Sequence, residues 1–250
     1  MNVLITGATG GIGAALAREY AEVGNTLLLQ GRRQDALDAV AAECQAKGAT
    51  VMTAAFDLRD EAALRLWIAQ VELVHPLDLV VANAGLNTDI GPARQGESWE
   101  QSRAVVDVNL IAAMVLIDAV LPGMRKRGRG QLALVSSLAA YFGLPLTPSY
   151  CASKAGLKAY GEALRGWLAP QGVKVNVVMP GYVVSPMAQA MPGPKPFMLA
   201  AADAAVRIRR GLAANRARIG FPFLLSAGTW WLAVLPAGLS GWIVRRMGYA

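Results

Sequence analysis

The chain has 250 residues, of which 54% are hydrophobic and 16% charged, and carries a formal net charge of +7 from 24 Lys and Arg against 17 Asp and Glu. So apolar a composition excludes intrinsic disorder, which needs low hydrophobicity and a high charge density, and the length suits one α/β domain or two small ones. Two cysteines, Cys44 and Cys151, are too few for a disulfide framework, and the single His75 excludes a His-rich metal site, so a cytoplasmic, reducing setting and no metal are expected.

The charge is unevenly spread. Residues 1–190 carry 16 basic and 16 acidic groups, whereas residues 191–250 carry eight basic groups against Asp203 alone. The basic excess accompanies an apolar run without a base-reading motif, so nucleic acid is not an expected partner.

The first residues lack the basic segment and long apolar stretch of a secretory signal and read as a strand over 2–6. Further strands are expected over 26–30, 50–55, 77–82, 131–136 and 173–179, where β-branched or Leu-rich runs recur. Between them, Ala-rich segments of helical period lie near 11–23, 34–47, 60–74, 99–127 and 148–169. Each is long enough for a right-handed crossover between parallel strands. The alternation predicts a Rossmann-type, doubly wound parallel sheet with helices on both faces.

The first crossover opens on Thr6-Gly7-Ala8-Thr9-Gly10-Gly11-Ile12-Gly13. Glycines there let the backbone approach a pyrophosphate, which the free N–H groups and the dipole of the next helix attract. After the second strand the chain reads Leu29-Gln30-Gly31-Arg32-Arg33. A carboxylate at this place would hold the 2′-hydroxyl of NAD; Arg32 and Arg33 instead suit the 2′-phosphate of NADP. NADP(H) is therefore the favoured cofactor, with NAD(H) as the alternative.

Tyr150 and Lys154 stand four residues apart in a helical stretch behind Pro148, on one helix face. An ammonium near a phenol is expected to lower its pKa and make Tyr150 a general acid or base near neutrality. Taken with the glycine turn, Asn83-Ala84-Gly85, Asn109, Ser136-Ser137 and Pro180-Gly181, the pair resembles the short-chain dehydrogenase/reductase family over roughly residues 1–187.

That resemblance implies a catalytic set of Asn109, Ser137, Tyr150 and Lys154, with Tyr150 exchanging a proton with the substrate oxygen. It implies that Ser137 binds that oxygen, that Lys154 also holds the nicotinamide ribose, and that Asn109 holds a relay water; Ser136 is then structural. The implied cofactor contacts are Thr6, Gly7, Thr9, Gly11, Ile12 and Gly13, then Asp57, Asn83, Ala84 and Gly85, and finally Pro180, Gly181, Val183 and Ser185, beside Tyr150, Lys154 and the two arginines. Gly7, Gly10 and Gly13 also fit the spacing of a longer, sugar-nucleotide-modifying branch, against which chain length and Asn83-Ala84-Gly85 argue. Substrate selection is expected in residues 86–98 and 186–200, and a homo-oligomer, dimer or tetramer, is expected.

Beyond residue 187 the likeness fades. Pro186 to Pro196 reads as a loop, Lys195 to Asn215 as a helix and Arg216 to Phe221 as a last strand. Residues 219–244 then hold no charge but include Trp230, Trp231 and Trp242, and Arg245-Arg246 follow. Pro222 and Pro236 leave Phe223–Leu235 as the longest proline-free piece, 13 residues, or about 20 Å of helix, short of a bilayer core of roughly 30 Å. Residues 1–220 are thus expected to form the catalytic domain and 221–250 an apolar helical extension. That extension either packs on the domain, closing the pocket or a dimer contact, or lies on the inner face of a membrane.

The function that follows is hydride transfer between NADP(H) and a carbonyl or secondary alcohol of a lipophilic small molecule. A non-catalytic dinucleotide-sensing protein and a membrane-associated scaffold on the same fold are the alternatives.

Overall fold

The structure, a computed structural model, describes residues 1–191 and 193–249. Seven strands, β1 (Asn2–Thr6), β2 (Thr26–Gly31), β3 (Thr50–Ala55), β4 (Leu79–Ala82), β5 (Gly130–Val135), β6 (Val173–Pro180) and β7 (Arg218–Phe221), form one sheet. Its order is β3-β2-β1-β4-β5-β6-β7 and every pairing is parallel.

The strands read as near-continuous apolar runs because both faces of the sheet are covered. Along β1, Val3 and Ile5 point to one face and Leu4 to the other, the two-residue period of a strand. On the first face pack α1 (Gly11–Tyr20), α2 (Gln34–Gln45) and α8 (Ala201–Ala213). The second face takes α3 (Glu61–Val74), α5 (Ala112–Arg127) and α6 (Pro148–Leu168).

The expected helix over 99–127 is α4 (Trp99–Val106) running into α5 through a π-helical turn at Asp107–Ile111. By length and composition it could cross a membrane, yet Leu116, Ile117, Val120 and Met124 on it are core residues of the domain.

The sheet order reverses between β1 and β4, and this switch opens the crevice in which doubly wound folds bind ligands. Gly7 turns the chain there with φ +64°, a conformation that favours glycine. Gly13 answers a second demand: a Cβ on it would lie 2.2 Å from the Gly7 carbonyl oxygen, so α1 could not pack this close to the turn.

Two readings of the C-terminal part are corrected. Within the expected loop Pro186–Pro196, Pro186–Ala190 is a short helix, α7, capped by the Ser185 hydroxyl, which accepts from Ala188 N at 3.1 Å; Pro192 lies outside the described residues. The helix expected from Lys195 begins only at Ala201, because Leu199 is extended and bridges Val183. Two arginines of the basic C-terminal part pair with the body of the domain: Arg209 on α8 with Glu19 and Glu22, and Arg218 on β7 with Glu162. The extension itself forms α9 (Phe223–Val234) and α10 (Ala237–Arg246), tied together where the Ser240 hydroxyl donates to Leu232 O at 2.8 Å.

Candidate active site

A cavity of about 450 Å³ runs from the glycine turn past the C-terminal ends of β1, β4, β5 and β6 to the inner side of α9 and α10. Gly7, Thr9, Gly11 and Ile12 form one end, with Arg32 and Asp57 beside them. Asn83, Ala84 and Gly85 line the middle, and Pro180, Gly181, Val183 and Ser185 the far wall. Ser137, Tyr150 and Lys154 meet between these walls. Four of the expected residues do not face the cavity: Thr6, Gly13, Arg33 and Asn109.

Hydrogen bonds and close packing place Thr6, Gly13 and Asn109, whereas Arg33 faces solvent. The Thr6 hydroxyl accepts from the backbone N–H groups of Asn83 and Ala84 at 3.0 and 3.2 Å, which ties the β1 turn to the β4 turn. The Asn83 amide donates to Thr6 O and Gly7 O at 2.9 and 3.2 Å. Gly13 supports the same turn from behind. Arg33 precedes α2 and is exposed.

Asn109 is buried in the π-helical turn, where its amide donates to Leu86 O and Ser153 Oγ at 2.9 Å each and its oxygen accepts from Leu86 N at 2.7 Å. It holds the chain segment that follows Gly85 against α6.

Tyr150 and Lys154 lie on the first turns of α6, which Pro148 starts at a position where a missing N–H costs nothing. The Lys154 ammonium donates to Val135 O at 2.8 Å and lies 5.8 Å from the centre of the Tyr150 ring. Ser136, at the end of β5, donates to Lys154 O at 2.7 Å and so fixes α6 from below. Ser137 starts a 3₁₀ turn, its oxygen accepting from Ala139 N at 3.2 Å.

Burial sets the proton affinities here. Desolvation pushes the Tyr150 phenol up to about 12, with the Ser137 hydroxyl acting the other way. It brings the Lys154 ammonium down to about 8. The expectation of a lowered tyrosine pKa is thus reversed in the protein alone, because the loss of water around the phenol outweighs the hydrogen bond to Ser137. At neutral pH Tyr150 is a protonated donor and Lys154 is charged. At the cofactor end, Arg59 holds the Asp57 carboxyl down to about 2, with Arg32 adding in the same direction.

Sequence reading missed several lining residues. Gln30 is fully buried at the end of β2, its amide donating to Phe56 O at 2.7 Å. Leu86 alone of the segment 86–98 reaches the cavity, whereas Phe142 and Leu144 after the 3₁₀ turn also line it. The roof comes from the extension: Leu225, Thr229 and Leu232 of α9, Val244 of α10, then Met247 and Tyr249. This agrees with the alternative in which the extension packs on the domain and closes the pocket; the spacing of 225, 229 and 232 on one helix face is the sequence signal for which residues do so. The Tyr182 hydroxyl donates to Tyr249 at 3.0 Å and Tyr249 to Pro194 O at 2.8 Å, latching the C-terminal residues across the far wall.

The arrangement fits a nicotinamide dinucleotide. Glycine backbone at Gly7, Gly10 and Gly11 lines the turn, a cation, Arg32, stands at the β2 end, and two hydroxyls and an ammonium converge where a nicotinamide would meet a carbonyl. No group of three His, Cys, Asp or Glu placed to hold a metal occurs among the described residues.

Comparison with known proteins agrees. The short chain dehydrogenase family profile matches residues 1–194. An uncharacterized oxidoreductase of Myxococcus xanthus strain DK1622 is 37% identical over 245 residues, covering 98% of this chain and 96% of that protein. An NADP-dependent 3-hydroxy acid dehydrogenase of Salmonella typhi is 34% identical over 186 residues, 73% of each chain. In fold, a short-chain dehydrogenase from Sphingobium yanoikuyae in complex with NADPH superposes with a TM-score of 0.81 at 24% identity, covering 98% of this chain and 94% of that one. With the glycine turn, the sheet order and the Ser137, Tyr150 and Lys154 cluster in place, the chain belongs to the short-chain dehydrogenase family and is an NAD(P)-dependent oxidoreductase.

Proposed function

We propose that the protein is an NADP(H)-dependent reductase of neutral, lipophilic carbonyl compounds, interconverting ketone or aldehyde with alcohol. The observation that carries this reading is the convergence of Ser137, Tyr150 and Lys154 on the same cavity as the glycine turn. When bound, the cofactor supplies a hydride from its nicotinamide C4 to the carbonyl carbon. Tyr150 then gives its hydroxyl proton to the carbonyl oxygen, for which its raised pKa keeps it protonated at neutral pH. Ser137 donates a second hydrogen bond to that oxygen; two donors strengthen as negative charge develops there, which lowers the barrier. The Lys154 ammonium holds the nicotinamide ribose and stabilises the tyrosinate left behind, while Asn109 keeps α4, α6 and the Gly85 segment in register. Thr6 and Gly13 serve the cofactor by holding the turn and Asn83 in place.

Arg32, which faces the cavity, supports NADP over NAD by offering paired donors to a 2′-phosphate; Arg33 and Asp57 flank that end, and NAD(H) is the alternative. The substrate half supports a neutral, apolar ligand. Among the described lining residues the charged ones are Arg32, Asp57 and Lys154, so no cation is free to receive a substrate carboxylate of the kind carried by the 3-hydroxy acids of the Salmonella relative. Met187, Met191, Leu225 and Leu232 shape the wall instead.

In this reading residues 1–220 are the catalytic domain and 221–250 its extension, in a cytoplasmic homo-oligomer with residues 221–250 toward the inner membrane face. Replacing Tyr150 by Phe should lower turnover of a ketone panel at least about a thousandfold while NADPH binding, followed by fluorescence, stays within about threefold. Retained turnover refutes the assignment.

A further inference from the structure

We propose that the outer face of α9 and α10 docks on an anionic lipid surface. This deepens the membrane placement above and can be read out apart from catalysis. α9 is apolar on all sides. Leu225, Thr229 and Leu232 face the cavity, whereas Phe223, Leu224, Trp230 and Trp231 point away from it, Phe223 79% and Trp231 56% exposed. α10 adds exposed Leu239 and Trp242 to the same slab, which the Ser240 bond to Leu232 O holds together. A helix that is apolar all round needs apolar matter on both sides, and here one side is the substrate cavity.

Charge and length identify the cover. Arg245 and Arg246 close α10, exposed to solvent, with the Arg246 guanidinium 5.6 Å from the centre of the Trp242 ring. No Asp or Glu follows Asp203 in the sequence. In a two-fold contact with a second copy, each face would meet its own arginines with no carboxylate of the extension to receive them. Anionic headgroups supply that charge, and tryptophan suits the boundary between headgroups and acyl chains. The 12 residues of α9 reach about 18 Å, too short to span the roughly 30 Å hydrocarbon core, so the slab lies in the interface. The inner face then delivers an apolar substrate from the bilayer side into the cavity.

Flotation tests this with phosphatidylcholine vesicles, with and without about 30% phosphatidylglycerol, a headgroup mixture that gives the negative surface the arginines require. Full-length protein should float with the anionic vesicles and about tenfold less with the neutral ones. Trp231→Ser with Trp242→Ser should lower binding at least about tenfold. Arg245→Gln with Arg246→Gln should abolish the preference for anionic lipid. None of these side chains lines the cavity, so turnover of a water-soluble ketone should persist in every variant, which also reports folding; Leu224→Ser serves if the tryptophan pair fails to fold. Full-length protein that stays off anionic vesicles, or variants that bind as it does, overturn the proposal. So does a shift from dimer to monomer in sedimentation with vesicle binding unchanged, which would give the face to a second copy. Loss of turnover throughout, with flotation intact, would count against the reductase reading and leave the docking standing.

Discussion

Replacing Lys154 by Met isolates the cost of burying the ammonium. Burial brings this amine from its ordinary 10.5 down to about 8. Between those values the native state binds fewer protons than the unfolded chain, so stability rises with pH across that window. At about 1.4 kcal/mol per pH unit of displacement, the difference amounts to about 3 kcal/mol. Methionine has similar length and no charge, so the variant has no such rise. Its loss of the 2.8 Å hydrogen bond to Val135 O costs about 1–3 kcal/mol and does not depend on pH. Tyr150, whose folded pKa is raised to about 12, stays protonated in the native state of both proteins up to pH 10.5, so the cost from its ionisation in the unfolded chain cancels in the difference. Urea unfolding at pH 7, 8, 9, 10 and 10.5 should show wild-type protein gaining about 3 kcal/mol on Lys154→Met over that range. A flat difference would refute the claim that Lys154 sits charged and dehydrated at neutral pH.

Two further substitutions test the cofactor end. Arg32→Ala should weaken NADPH binding about 10- to 100-fold, since a charge-assisted bond contributes about 1.5–3 kcal/mol, and leave NADH binding nearly unchanged. Arg33→Ala, off the cavity, should shift neither beyond about threefold; equal effects of the two in titrations would mean that the placement of Arg32 has been misread. Gly13→Ala drives a Cβ into the Gly7 carbonyl at 2.2 Å, a backbone contact that no rotamer relieves. Displacing the turn should cost about 1–3 kcal/mol and weaken both cofactors alike, by calorimetry; unchanged affinity would show that the turn yields freely.

What the sequence alone determined is what local spacing encodes. The order of strands and crossovers, the turn Gly7 to Gly13, and the placement of Tyr150 and Lys154 on one helix face all follow from periods of two and 3.6 residues and from the backbone freedom of glycine. The long-range facts did not follow. Asn109 bonds to Leu86 and Ser153, 23 and 44 residues away, and spacing could not place it behind the cavity rather than on its wall. A lysine one turn from Tyr150 is visible in sequence and predicts a lowered phenol pKa, whereas the burial that raises it in the protein alone is a property of the whole packed chain. The charge count of residues 191–250 carries no information on ion pairing, and only the fold brings Arg209 to Glu19 and Glu22 and Arg218 to Glu162. The extension stood between packing and membrane contact because an apolar run has no direction of its own. Only the tertiary structure gave α9 two faces, turning Leu225, Thr229 and Leu232 onto the cavity and leaving Trp230 and Trp231 outside.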